Sequence, residues 1–137
     1  MLLDTHIWIW AAEGDLRRLG RRTRRLIEHA AQSRQIYLST ASIFELAALH
    51  TAGRVHLALP IETWVDESIE RARLRLADIT RAIAVDGGLI PITALSDPID
   101  RMLVASARHL DVPLVTRDGP ILDYARTGQV RTINAAA

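Results

Sequence analysis

The sequence predicts an α/β domain built on a mainly parallel sheet. Short apolar runs alternate with helical stretches along the chain, as when strands are joined by crossover helices. Acidic and hydroxyl residues follow several of those runs closely, where a strand gives way to a helix. No internal repeat, low-complexity linker or second composition block divides the 137 residues, which are enough for one real core. The expectation is a single domain over residues 1–134, followed by a frayed tail at 135–137.

The elements follow in order. MLL is a short buried strand, with Asp4 and Thr5 at its C-terminal end. His6 to Ala12 forms a first helical segment. Gly20 breaks the pattern, and Arg21 to Ser33 forms a helix whose apolar stripe is Thr23, Leu26, Ile27 and Ala30. Ile36 to Ser39 is the second strand. Thr40 or Ser42 then caps the helix ASIFELAALHTA, which stops at Gly53. Pro60 opens the next helix, with Ile61, Trp64, Val65, Ile69 and Ala72 inward and a Glu67–Arg71 pair outside. RLRLADI alternates as a strand does, and Thr80 caps a short helix ending at a Gly87-Gly88 turn. Asp97 and Pro98 form a strong helix start, with Ile99, Met102, Leu103, Ser106, Ala107 and Leu110 at helical spacing behind them. VPLVT is a strand ended by Arg117, Asp118 and Gly119. A short helix to Tyr124 and the strand VRTI close the fold.

Composition excludes several chemistries. With 49% hydrophobic and 24% charged residues the balance is globular and argues against disorder. No cysteine is present, which removes disulfides, thiolate zinc sites, iron–sulfur clusters and cysteine nucleophiles. All 17 basic residues are arginine, so no lysine is available as a base, Schiff-base former or phosphate clamp. No run is long enough to span a bilayer and no secretory signal opens the chain, which sets a cytoplasmic expectation without membrane association. Net charge is only +1, but LRRLGRRTRRL concentrates six arginines between Arg17 and Arg25. Arg21, Arg22, Arg24 and Arg25 are read either as a solvated or partner-facing helix surface or as contacts to RNA phosphate. Trp8, Trp10 and Trp64 fall among apolar helical positions and read as core or interface. The histidines form no ligand pair.

The acids carry the chemistry. Ligands of open parallel sheets bind beyond the C-terminal ends of the strands. Asp4 and Asp118 stand at two such ends, Glu45 lies in the helix after the second strand, and Asp100 opens the long helix. Each has an ordinary reading: turn former, helix cap, dipole partner or distant ion pair. Glu45 lies in a helix apolar nearly all round, which predicts burial, and the local sequence offers it no cation. Together the acids form a set of hard oxygen donors suited to Mg²⁺ or Mn²⁺ and to phosphodiester cleavage by activated water. Thr5 and Thr116 could orient water or phosphate. Asp97 reads as a cap first and a supporting residue after that. An aspartyl-phosphate site commonly uses a lysine, which this chain lacks.

The segments LLDTHIWIW, SIFELA with AGRV, DPIDRMLVASA and PLVTRD, in this order, resemble the PIN-domain ribonucleases of the VapC toxin type. The resemblance runs from Leu2 to about Ile133. It departs from many relatives at Ile99, where an aromatic is common, and at Phe44, where tryptophan is common. It implies a three-layer α/β/α domain with a four- to five-stranded sheet. It also implies a catalytic, metal-holding set of Asp4, Glu45, Asp100 and Asp118, with Thr5 beside the first acid and Mg²⁺ as cofactor. By the same resemblance the chain would be a bacterial or archaeal endoribonuclease toxin. It would form a homodimer, be blocked by a cognate VapB-type antitoxin, and cut structured RNA such as tRNA or ribosomal RNA. Against this stand a binding module, in which the acids pair with arginines such as Arg101 or Arg117, and, third, a phosphatase or phospho-acceptor.

Overall fold

The computed structural model describes residues 1–137. Strand β1 (Leu2–Leu3) runs into helix α1 (Thr5–Ala12), a 3-10 turn at Leu16–Arg18, and α2 (Arg21–Gln32). Strand β2 (Tyr37–Ser39) leads into α3 (Thr40–Thr51) and α4 (Ile61–Ala72). Strand β3 (Arg75–Ala77) precedes α5 (Arg81–Leu89) and α6 (Pro98–Leu110). Strand β4 (Leu114–Thr116), α7 (Gly119–Ala125) and β5 (Thr132–Asn134) complete the chain.

The five strands lie in the order β3-β2-β1-β4-β5, and every pairing is parallel. Neighbouring side chains on a strand point to opposite faces, and the core divides accordingly. Leu3 and Val115 join a cluster with Ile7, Trp8, Leu38, Leu46 and Trp64 on one face. Leu2 and Leu114 join Leu103, Val104, Ala107 and Ile121 on the other. The result is the expected three-layer sandwich of helices on both faces of one sheet. Trp8 and Trp64 meet edge to face at 5.2 Å inside it. Their indole N–H groups donate to Ser68 Oγ and Glu13 Oε1 at 3.1 and 3.2 Å. The Glu67–Arg71 pair forms at 3.2 Å.

Four expectations need correction. Ser39, not Thr40 or Ser42, caps α3, because β2 turns into the helix with no loop between them. Gly87 and Gly88 lie inside α5 rather than in a turn. A Cβ at Gly87 would stand 3.2 Å from the Arg101 carbonyl oxygen, so this glycine permits the close approach of α5 to α6. Helix α3 is not buried all round: Phe44 is 67% exposed and Glu45 half-buried. Its outer side faces solvent despite being apolar.

The tail at 135–137 is docked, not frayed. Ala135 is fully buried and its N–H donates to the Thr116 carbonyl at 2.8 Å, extending the β4–β5 ladder. The carbonyls of Ala135 and Ala137 accept from Gly20 and Thr23 N–H at 2.8 and 3.2 Å. Gly20 has no room for a side chain, because a Cβ there would collide with the Ala137 backbone.

Candidate active site

Parallel strands bring their C-terminal ends to one edge, and the sequence turns them into helices there almost without loops. Asp4 is the hinge between β1 and α1. Its carboxylate caps α1, accepting the Thr5 N–H at Oδ1 (2.8 Å), and its own N–H is held by Val115 of β4. Oδ2 accepts the Thr116 hydroxyl at 2.6 Å. That same Thr116 oxygen accepts the Asp118 N–H at 2.9 Å, so one buried hydroxyl ties two acids from separate strand ends. Asp118 caps α7 through the Ile121 N–H.

Glu45 arrives from the second turn of α3. Asp100 comes from the first turn of α6, whose cap is Asp97, accepting the N–H groups of Ile99 and Asp100 at 2.8 and 3.2 Å. These acids lie near enough for their charges to act on Asp100. Burial pushes the Asp100 carboxyl up to about 8, and the charges of Asp97, Asp4, Asp118 and Glu45 add to the effect. Burial also raises Asp4, opposed by its hydrogen bonds to Thr116 and Thr5.

None of the acids forms an ion pair. The seven pairs in the molecule involve Asp15, Glu67, Asp86, Asp111 and Asp123 instead. The Arg101 and Arg117 pairing required by the binding-module reading is therefore absent, and Arg117 donates to the Arg18 carbonyl. No three acidic or imidazole groups close around a single ion position as the side chains stand. The oxygens of Asp4 and one oxygen of Asp118 are committed to helix caps and to the Thr116 hydroxyl. The donor set is still of the type a hard divalent cation takes, being all oxygen and uncompensated by any arginine.

Thr5 and Thr116 are both fully buried, and their hydroxyls are engaged. They orient protein groups rather than water or phosphate. Thr5 donates to Ser42 Oγ at 2.9 Å. Ser42, on α3 one turn before Glu45, joins that helix to α1 and was missed as a site residue. Its only sequence signal was a small hydroxyl within an apolar helix. His6, exposed in the first turn of α1, also lies close enough for its charge to act on Asp4. On α2, Arg21, Arg22 and Arg25 are exposed, whereas Arg24 is half-buried with an unpaired Nε. A cavity of about 490 Å³ between α1, α2 and α4 is lined by Arg24, Trp8 and Trp64 and by none of the four acids.

Comparison with known proteins agrees with this geometry. The model of the PIN domain matches residues 1–126. Ribonuclease VapC22 of Mycobacterium tuberculosis (strain ATCC 25618 / H37Rv) is 34% identical over 119 residues, covering 86% of each chain. The fold also matches the crystal structure of VapBC2 from Rickettsia felis bound to a DNA fragment from their promoter. There the TM-score is 0.69, with 16% identity over 96% of both chains. The spacing of the acids, the all-parallel sheet and these matches agree: the chain belongs to the PIN-domain family, among its VapC-type members.

Proposed function

We propose that this protein is a metal-dependent endoribonuclease, the toxin of a VapBC-type pair acting in the cytoplasm. The observation that carries this reading is the convergence of Asp4, Glu45, Asp100 and Asp118, uncompensated by any arginine, at the active edge of the sheet. These four carboxylates would hold Mg²⁺ or Mn²⁺. A bound divalent ion would supply water activation and charge neutralisation at a phosphodiester.

The chain's own groups do the rest. Asp4 is fixed at both oxygens before any substrate arrives, and the Thr116 hydroxyl sets its position relative to Asp118. Asp100 must give up a proton to accept a cation, which its carboxylate neighbours otherwise oppose. The hydroxyls of Thr5, Ser42 and Thr116 are buried and bonded, so none of them is available as a nucleophile, in keeping with attack by water. Exposed Arg21, Arg22 and Arg25 suit phosphate contacts or the antitoxin. The name of the VapC22 relative supports the RNA substrate, and the VapBC2 structure supports a VapB-type partner. Homodimerisation belongs to the same proposal. Val85, Leu89 and Ile92, 62%, 75% and 67% exposed on and just after α5, are apolar side chains that a second subunit could cover.

Purified protein should cut RNA with Mg²⁺ or Mn²⁺, stop on addition of EDTA, and resume when the metal is restored. Asp4→Asn keeps the helix cap and should leave the circular dichroism spectrum unchanged while lowering cleavage at least about a hundredfold. A folded Asp4→Asn protein that cuts at the wild-type rate overturns the assignment.

A further inference from the structure

Beside the acids runs a row of cations and rings that their chemistry does not use. His6 and Trp10 lie one turn apart on α1, which begins at Asp4, with ring centroids 5.8 Å apart. Arg18 sits over the Trp10 ring, its Cζ 5.2 Å from the centroid. Asp15 Oδ2 accepts from Arg18 Nε at 3.0 Å. The guanidinium is thus supported by an indole beneath and fixed by a carboxylate at its edge, while its side chain remains 57% exposed. Arg117, exposed and adjacent to Asp118, is pinned to the same turn by a 2.8 Å bond from Nη1 to the Arg18 carbonyl.

We propose that Arg18, backed by Trp10, is a stacking platform for one unpaired base of the RNA substrate, with Arg117 contacting a neighbouring phosphate. The inference rests on the ribonuclease reading and deepens it. An acid cluster repels a polyanion, so affinity must come from the rim. Arg117 adjoins Asp118 at the end of β4, and its bond to the Arg18 carbonyl holds the turn that carries Arg18 to that strand end. A planar cation held over an indole with more than half of its side chain still exposed fits a nucleobase, since guanidinium planes stack on unpaired bases. A base inside a duplex does not offer that face.

The test uses the full chain and a fluorescent single-stranded oligoribonucleotide that the wild type cuts. Arg18→Ala should raise KM about tenfold with kcat within about twofold. Arg18→Lys should resemble Arg18→Ala, because lysine keeps the charge and loses the plane. Arg117→Gln should lower the salt dependence of binding by about one phosphate contact, read by anisotropy in the Asp4→Asn background. Full rescue by Arg18→Lys overturns the stacking platform. So does an unchanged KM in Arg18→Ala together with weakened capture of a co-expressed antitoxin, which would make the row a protein contact. In both cases the ribonuclease reading stands if the wild type still cuts. That reading fails separately if the wild type cuts no RNA with any divalent metal.

Discussion

Asp100 shows how a single residue records its neighbours. An ordinary aspartate releases its proton near pH 4, whereas Asp100 holds it up to about 8. Between those values the folded protein binds a proton that the unfolded chain has lost. Stability contributed by this group is therefore present in acid, falls as pH rises through the window, and is gone above about pH 8. In metal-free buffer, Asp100→Asn should raise the melting temperature at pH 8 and change it little at pH 4. The gain should be about 1–2 kcal/mol, because the group is part-exposed and solvent screens it. Differential scanning calorimetry at the two pH values checks both sign and window. An equal gain at both would remove carboxylate repulsion as the cause. Asp4, Asp100 and Asp118 were legible as single residues because each stands where a strand ends or a helix begins, and Glu45 because it is a lone carboxylate in an apolar helix. Their supports were less so. The role of Thr116 depends on β4 lying beside β1, a pairing between residues 112 positions apart that local pattern does not encode. Ser42 matters for the same kind of reason, through Thr5 on a different helix.

Elements were legible where they carry a chemical signature. Asp97-Pro98 announced α6, and Thr80 announced α5, whose side chain accepts the Ile83 N–H at 3.2 Å. Glycine was misread because its usual meaning is a turn, whereas Gly87 serves helix packing. This gives a paired prediction on α5. Gly87→Ala should destabilise by about 1–3 kcal/mol, since the methyl group meets the α6 backbone at 3.2–3.4 Å. Gly88→Ala, one position on and facing open space, should stabilise by about 0.5–1 kcal/mol through helix propensity. Urea denaturation of the two variants measures the difference, and similar values for both would contradict the close approach. The exposure of Phe44 carries the converse lesson. An apolar helix surface signals burial in the isolated chain only when nothing else is available to cover it.

For the whole molecule, the alternation of runs and helices sufficed for class and layering, and the parallel sheet followed from it. The seating of the C-terminal residues could not be read, because AAA carries no signal of its own. The information lies at Gly20, on the far side of the sequence. Gly20→Ala should expel residues 135–137 from their place against α2 and lower the melting temperature by several degrees, about 1–3 kcal/mol. Amide hydrogen exchange at Ala135 and Thr23 should accelerate in that variant, and unchanged protection at both would show that the tail is not held there.

The bond from Thr116 to Asp4 also has a consequence in time. A ribosome adding about 5–20 residues per second needs roughly 6–22 s to travel from one partner to the other. Throughout that interval β1 lacks its β4 neighbour and Asp4 lacks the hydroxyl that positions it. The acid cluster therefore cannot take up its folded arrangement while the chain is made only as far as α6, and it forms after β4 has been added.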